Sequence, residues 1–286
     1  MPNITTDYKV HGAGLGLKQE IMAQMQEMQP EQVGFIEVAP ENWINVGGSR
    51  GKAFREITER YPLVCHGLSL DIGGPAPLNK DFLTDVRKFL DQHNALIYTD
   101  HLSYCGDSGQ LYDLMPIPFT AEAVKYVADR IKHVQDMLGR QIGMENVSTY
   151  AMPNGDMTEI EFLNAVVTEA DCGYHLDINN IFVNAINHRF DPHEYLRQIP
   201  AERIMYAHIA GHYQEAPDLR IDTHGEDVLE DVWNMLDNAY EQYGVFPTLL
   251  ERDFNIPPLE EVLLEVDRIA DYQAKHKQQV HNEHVA

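Results

Sequence analysis

Cysteine is scarce in this chain, with only Cys65, Cys105 and Cys172 among 286 residues. The three are scattered and none belongs to a CxxC pair, which argues against a disulfide framework and against a structural zinc knuckle. An odd number of isolated cysteines is typical of reduced thiols. We therefore expect the protein to be cytoplasmic.

Long apolar runs are also missing. No stretch approaches the roughly 20 apolar residues that a membrane-spanning helix needs. The first ten residues, MPNITTDYKV, lack the basic region followed by an apolar one that marks a secretory signal. These absences predict a protein with no membrane partner.

Positive charge is low, with 21 Lys and Arg against 45 Asp and Glu and a formal net charge of -24. Such a surface repels polyanions, so we expect no nucleic-acid partner. Many of the carboxylates belong to solvated helix faces such as Leu259–Asp267. Others are candidates for binding cations.

Apolar, β-branched segments recur at the spacing of βα units and predict eight strands. These are Val10–Leu17, Val33–Ala39, Pro62–Leu70, Ala95–Leu102, Gln141–Val147, Gly173–Ile178, Arg203–Ile209 and Pro247–Arg252. The segments between them have helical periodicity: Leu17–Met28, Gly51–Tyr61, Asn79–His93, Thr120–Leu138, Thr158–Ala170, Asp191–Ile199, Asp227–Tyr243 and Pro258–Lys277. This alternation favours an α/β fold, a closed (β/α)8 TIM barrel rather than an open sheet. We expect one domain over residues 1–274 and a polar, flexible tail over 275–286.

Polar residues end six successive predicted strands, at the barrel face that carries active sites. They are His66, His101, Glu145, Asp177, Asn179, His208 and Glu251, and the loop after the seventh strand adds Asp222 and His224. A single buried histidine is more often a satisfied core residue than a ligand. A whole rim of them needs another explanation, because an unpaired buried carboxylate costs several kcal/mol. A metal ion removes that cost.

The candidate ligands are imidazoles and carboxylates without a thiolate, a set that suits iron, manganese or zinc. Nine candidates exceed what one ion can use and predict two or three ions, with Glu145 placed centrally enough to bridge two of them. Strand alternation puts His175 on the face of Asp177 but deeper, so we interpret it as a core residue. By the same alternation Cys65 opposes His66 and is expected to be a buried structural thiol.

The end of the second strand, IEVAPENW, adds Glu37, Glu41 and Asn42. These side chains are candidates for contact with a substrate or a metal-bound water, and a capped loop is an equal alternative.

Seven motifs together resemble the multinuclear non-haem iron-dependent oxidases, long catalogued as an uncharacterised bacterial family, which include the enzyme of methanobactin biosynthesis. The motifs are HGLSLDIGG, DHLSYCG, MENVSTY, HLDINNIFVNA, AHIAGH, DTHGEDV and LLERD. The similarity runs from about Gly12 to Glu261. It implies a xylose-isomerase-like barrel.

The resemblance also implies the ligand set. His66, His101, Glu145, Asp177, His208, Asp222, His224 and Glu251 match in residue type, and Asn179 is a further candidate. Glu145, Asp177 and Asp222 are expected to act in catalysis. The implied cofactor is two or three iron ions in the Fe(II) and Fe(III) states, with manganese or zinc as substitutes. The implied reaction is the O2-dependent modification of cysteines in a ribosomally synthesised precursor peptide, which a small partner protein presents.

Two other classes of function stay open. One is a redox-neutral metal-dependent barrel enzyme, either a sugar isomerase or a phosphodiesterase like endonuclease IV. The net charge of -24 and the lack of a basic groove weigh against the nuclease. The other is a non-enzymatic module that binds metal or peptide.

Overall fold

A computed structural model describes residues 7–106, 109–153 and 155–285. Within these residues, eight parallel strands close into a barrel: β1 (Ala13–Gly16), β2 (Phe35–Val38), β3 (Leu63–Gly67), β4 (Ile97–His101), β7 (Gly143–Glu145), β8 (Gly173–Asp177), β9 (Ile204–Ile209) and β12 (Thr248–Leu250). Their order around the barrel is β1-β12-β9-β8-β7-β4-β3-β2. This confirms the predicted closed parallel barrel.

Helices cover the outside of the barrel and pack on the outward faces of the strands. They are α1 (Met22–Glu27), α2 (Gly48–Thr58), α3 (Lys80–Gln92), α4 (Ala121–Leu138), α5 (Glu159–Ala170), α6 (Ile178–His188), α7 (Pro192–Leu196), α8 (Glu230–Tyr243) and α9 (Leu259–Val285). The predicted capping box begins α5, where Glu161 N donates to Thr158 Oγ1 and Thr158 N donates to Glu161 Oε2. Cys65 is fully buried in the core between strands and helices, as expected.

The barrel interior changes from apolar to polar along the strands. Its lower part is an apolar cluster formed by Val10, Phe35, Val64, Ile97, Tyr206 and Leu249. Because side chains of a strand alternate between faces, the next inward residue lies two positions further on. That rule brings Glu37 above Phe35, His66 above Val64 and His208 above Tyr206. The polar layer therefore lies on a packed apolar floor, next to the carboxyl ends of the strands.

Each barrel strand is shorter than predicted, and one of these differences in boundary changes the site. The sixth strand was expected to reach Ile178, but β8 ends at Asp177 and α6 begins at the next residue. Asp177 Oδ1 accepts a 2.6 Å hydrogen bond from Asn180 N and so caps the new helix. Asn179 consequently lies in a helix and does not share a strand face with Asp177. The helix predicted over Asp191–Ile199 is shorter, spanning Pro192–Leu196.

Two loops on the site face contain hairpins that the sequence pattern does not predict. After β4, β5 (Tyr104–Gly106) pairs antiparallel with β6 (Gln110–Met115). After β9, β10 (Tyr213–Ala216) pairs antiparallel with β11 (Leu219–Ile221). The second hairpin ends next to Asp222, so it brings that residue and His224 back towards the barrel.

The last helix, α9, continues past residue 274, where we placed the end of the domain. His276 is buried on this helix, and its Nε2 lies 2.6 Å from Asp237 Oδ1 on α8. Side chains from 279 onward lie outside the described residues, so the flexibility of 275–286 stays a prediction. The described part of the chain contains no helix with the length and apolar character to cross a membrane.

Candidate metal centre

Strand register brings the predicted ligands together. His66 is paired with Thr99 across β3 and β4, and His101 is paired with Glu145 across β4 and β7. Asp177 is paired with His208 across β8 and β9. Because all these strands are parallel, the side chains meet at one end of the barrel interior.

Three linked groups of potential ligand atoms result among the described residues. Within each group the atoms lie within 4.8 Å of one another. The groups are His66 with His101 and Glu145, then Glu145 with Asp177 and His208, then Asp177 with His224 and Glu251. Glu145 belongs to the first two groups and Asp177 to the last two. The three groups therefore form one continuous cluster, which we call the ligand cluster.

Distances inside the ligand cluster are short. Glu145 Oε2 lies 3.1 Å from His66 Nε2 and 3.2 Å from His101 Nε2. His208 Nδ1 lies 2.9 Å from Glu251 Oε2. The facing Nε2 atoms of His66 and His101 are 3.2 Å apart, so two bare nitrogens there would repel unless a proton or a cation lay between them.

Each histidine of the cluster uses its other nitrogen to contact a fixed partner outside the cluster. The contacts are His66 Nδ1 to Thr99 Oγ1 at 2.8 Å, His101 Nδ1 to Gly67 O at 3.0 Å, His208 Nε2 to Glu37 Oε2 at 2.9 Å, and His224 Nδ1 to Asp253 Oδ2 at 3.2 Å. A carbonyl or carboxylate partner accepts a hydrogen bond from the ring N–H, which keeps the proton on that nitrogen and leaves the opposite nitrogen of a neutral ring without one. This is how proteins orient imidazoles that bind metals.

Several inward atoms of the cluster are buried without a hydrogen bond among the described residues. They are Glu145 Oε2, Asp177 Oδ2, His208 Nδ1 and His224 Nε2. His224 Nε2 lies only 2.7 Å from Asp222 Oδ1, yet the pair does not have hydrogen-bond geometry. The atoms thus point at the space between them rather than at one another. Nitrogen and oxygen donors in this arrangement fit divalent iron, manganese or zinc.

The raised pKa values of two histidines mean that, without a metal, bound protons supply the positive charge of the cluster. Burial lowers the pKa of His66, but the charge of Glu145 outweighs it and raises that pKa to about 9. Burial also opposes the charged form of His208, whose pKa nevertheless lies well above its usual range because of Glu37 and Glu251. Burial and the neighbouring His66 lower the pKa of His101 to about 4. Metal binding would therefore displace protons from His66 and His208.

Asp222 and Asn179 lie beside the ligand cluster rather than inside one of its three groups. Asp222 Oδ2 accepts from Ser148 Oγ at 2.8 Å, and its Oδ1 accepts from Asn179 Nδ2 at 2.8 Å. Asn179 Oδ1 lies 2.7 Å from His212 Nδ1. The Asn179 amide therefore orients Asp222 in this structure, and direct ligation by either residue stays a prediction.

His175 lies below the cluster, as its strand parity predicts. It is fully buried and its ring stacks on Tyr206, with centroids 4.1 Å apart. Neither ring nitrogen has a hydrogen bond among the described residues. With Glu37 and His208 it forms one more set of close potential ligand atoms, but Glu37 and His208 already bond to each other there.

Four residues that contact the cluster were not identified as part of it from the sequence: Thr99, Tyr206 and Asp253 were not singled out, and Glu37 was considered only for substrate or water contact. The signal that marks them is strand parity, since each lies two positions from a predicted ligand or from an inward apolar residue. Asp253 also pairs with Lys18 at the rim. Glu37 is buried inside the barrel and is not exposed to solvent at the end of its strand.

Comparison with solved structures supports the fold. A xylose isomerase domain protein from Alicyclobacillus acidocaldarius superposes with a TM-score of 0.60 at 16% identity, covering 93% of this chain and 99% of that one. Endonuclease IV from Thermus thermophilus gives a TM-score of 0.57 at 15% identity, again covering 93% and 99%. At these identities the likeness shows the fold alone, and it confirms the xylose-isomerase-like barrel.

Sequence relatives are much closer. A UPF0276 protein from Nitrosospira multiformis is 56% identical over 264 residues, which cover 92% of this chain and 93% of the relative. Residues 12–274 match the family model described as RiPP precursor modification enzyme MbnB/TglH/ChrH, where RiPP denotes a ribosomally synthesised and post-translationally modified peptide. The chain therefore belongs to the MbnB/TglH/ChrH family of RiPP precursor modification enzymes.

Proposed function

We propose that this protein is an oxidase that holds two or three iron ions and uses O2 to modify cysteine residues of a precursor peptide. The observation that carries the proposal is the continuous ligand cluster, in which Glu145 and Asp177 are each shared by two groups. Family membership supports a peptide substrate. The choice of iron follows from the resemblance of the motifs to iron-dependent oxidases.

The chain's own residues divide the task. His66, His101, Glu145, Asp177, His208, His224 and Glu251 would hold the ions. Asp222, fixed by Ser148 and Asn179, lies close enough to His224 to complete a ligand set or to accept a proton. Bound iron supplies one-electron chemistry with O2, which zinc lacks.

The rim of the barrel supports a peptide substrate. Large apolar side chains are exposed on the loops that follow β3, β7 and β12 and on the β10 hairpin strand: Leu68, Tyr150, Met152, Phe254 and Tyr213. Exposed apolar groups at the active end of a barrel are typical of a surface that binds another molecule. We propose that the peptide lies across these loops and that a small partner protein presents it there.

The direct test is reconstitution without oxygen. The protein is loaded with Fe(II), mixed with a cysteine-containing precursor peptide, and then exposed to O2, with and without the partner protein. We expect O2 consumption and a mass change located at cysteine. The zinc-loaded protein is the matched control and should leave the peptide unchanged. Unchanged peptide in every iron sample would refute the oxidase.

The redox-neutral alternative makes a different prediction. An isomerase or a phosphodiesterase would bind zinc or manganese as isolated and act without O2. Protein that contains zinc alone, and that hydrolyses or isomerises its substrate under anaerobic conditions, would favour that reading.

A further inference from the structure

A chain of buried hydrogen bonds joins two histidines of the ligand cluster on different sides of the barrel. His66 Nδ1 lies 2.8 Å from Thr99 Oγ1, and Thr99 Oγ1 lies 3.0 Å from Tyr206 Oη. The Tyr206 hydroxyl lies 2.5 Å from Glu37 Oε2, which is also 2.9 Å from His208 Nε2. All five side chains are buried.

The direction of every bond in this chain follows from counting protons. An ionised carboxylate only accepts, so Tyr206 and His208 Nε2 both donate to Glu37. Tyr206 has then used its single proton, and its oxygen must accept from the Thr99 hydroxyl. Thr99 has used its proton in turn, so its oxygen must accept from His66 Nδ1.

We propose that Glu37 is a positioning residue that sets the protonation pattern of both His66 and His208 through Tyr206 and Thr99. In the neutral rings, His66 Nε2 and His208 Nδ1 are then the nitrogens without a proton, and both face the ligand cluster. The inference rests on the proposed metal centre for its purpose, whereas the hydrogen-bond directions follow from these distances together with the donor and acceptor capacity of each group.

The hydrogen-bonded chain His66–Thr99–Tyr206–Glu37–His208, which we call the relay, is held in one arrangement by the surroundings of Tyr206. Its hydroxyl bonds only Thr99 and Glu37 within the described part of the chain. Its ring stacks on His175 with a 24° interplanar angle and meets Phe35 edge-on at 5.9 Å. The hydroxyl is therefore aimed along the relay by packing as well as by its bonds.

Removing the Tyr206 hydroxyl separates the two halves of the relay. In Tyr206→Phe the Thr99 hydroxyl loses its acceptor and is free to donate to His66 Nδ1 instead. That reversal moves the His66 proton to Nε2, the nitrogen that faces the cluster. His208 keeps its own bond to Glu37 and should not change. Glu37→Gln, by contrast, should disturb both histidines.

The first measurement reads the proton directly. Metal-free, 15N-histidine-labelled protein is compared at an alkaline pH at which the His66 nitrogen shifts no longer change, so that the ring is neutral. We expect the Nδ1-H form of His66 in the wild type and in Thr99→Ser, and the Nε2-H form in Tyr206→Phe. Tyr240→Phe is the matched control, because the buried Tyr240 hydroxyl bonds Thr248 and Gln273, neither of which belongs to this relay. An unchanged Nδ1-H form in Tyr206→Phe would overturn the proposal.

The second measurement reads the effect on metal binding. Wild type, Tyr206→Phe, Thr99→Val and Thr99→Ser are titrated with Co(II) alone and followed by the visible spectrum of the bound ion. We expect roughly 10- to 100-fold weaker binding to one class of site in Tyr206→Phe and Thr99→Val. Thr99→Ser should bind Co(II) as the wild type does, because it keeps the hydroxyl. Equal titrations of Thr99→Ser and Thr99→Val would indicate a merely structural role for Thr99 and would overturn the proposal. If the wild type binds no Co(II), the proposed metal centre fails, and the histidine measurement still decides the relay.

Discussion

Glu145 is the residue on which most of the ligand cluster depends. Its Oε2 faces His66 and His101, and its Oε1 lies 3.5 Å from His208 Nδ1. Burial alone would raise the pKa of Glu145, but the surrounding histidines hold it well below its usual range. It is therefore a permanent negative charge at the junction of two groups.

Removing the negative charge of Glu145 should weaken metal binding in both groups of ligand atoms that share it. In Glu145→Gln the side-chain shape is kept, but one carboxylate oxygen becomes an amide NH2 that cannot bind a metal. We expect iron to fall from two or three ions per chain to one or none, measured by elemental analysis after anaerobic reconstitution. Glu260→Gln is the same chemical change at an exposed site and should leave the iron content unchanged. Full iron content in Glu145→Gln would show that the groups do not share this carboxylate.

Glu159 is a half-buried carboxyl outside the cluster that should tie stability to pH. Burial raises its pKa to about 7, although hydrogen bonds from Tyr195 and Asn184 partly oppose the shift. The folded state thus holds a proton that the unfolded state releases near pH 4.5. Stability from this group is present at low pH and is lost as the pH rises from about 4.5 to 7.

Glu159→Gln should remove this loss of stability with rising pH. Relative to wild type, we expect the free energy of unfolding of the variant to rise by about 2 kcal/mol between pH 5 and pH 8. Urea titrations of metal-free protein at the two pH values measure it. Glu161→Gln provides a contrast of opposite sign, because bonds from Thr158 lower the pKa of that exposed carboxylate. A pH-independent difference for Glu159→Gln would contradict the assignment.

At the residue scale, the sequence predicted most of the ligands but not the side chains that hydrogen-bond them. Histidines and carboxylates at strand ends were recognisable, and the structure brings most of them within reach of one another. Glu37 was not recognised as a histidine partner, because its contact with His208 exists only once β2 and β9 face each other across a closed barrel. Parity identifies inward residues, but only three-dimensional closure pairs them.

At the scale of elements, the ends of β7 and β8 are joined by a side chain. Asn146 Nδ2 donates to Asp177 O at 2.9 Å, and its Oδ1 accepts from Asp177 N at 2.9 Å. These two hydrogen bonds continue the strand pairing one step beyond the backbone ladder. It fixes Asp177 at the point where the strand turns into α6, so ligand position and helix start are set together.

Asn146→Ala should therefore weaken both the fold and the cluster. Two buried backbone groups lose their partners, and we expect a loss of about 2 to 4 kcal/mol in the free energy of unfolding of metal-free protein. Asn164→Ala removes a single bond to Gln198 O near the surface and should cost less than about 1 kcal/mol. Equal losses in the two variants would mean that Asn146 does not hold the strand ends.

Helix α6, which the sequence pattern did not predict, was missed for a physical reason. Helix α6 is buried along nearly its whole length, so its residues lack the apolar and polar alternation that reveals a surface helix. Its four asparagines have low helix propensity, yet Asn184 is held by bonds to Thr149 N and Val147 O. Tertiary contacts, rather than local preference, make this segment helical.

At the scale of the whole molecule, barrel closure is what turns scattered residues into a site. The donors come from positions 66 to 251 of the chain and meet because parallel strands place their carboxyl ends on one face. The net charge of -24 gives this molecule a surface that repels nucleic acid and favours cationic partners. The ligand cluster and the family match together support a metal enzyme that acts on a peptide, and the net charge weighs against DNA as its substrate.

The number and identity of metal ions per chain test the central claim most directly. Protein purified without oxygen is analysed for iron, manganese and zinc against protein concentration from amino-acid analysis. The linked groups that share Glu145 and Asp177 predict two or three iron ions per chain. Zinc as the sole metal, or no more than one ion per chain after loading with excess Fe(II), would contradict a multinuclear iron centre.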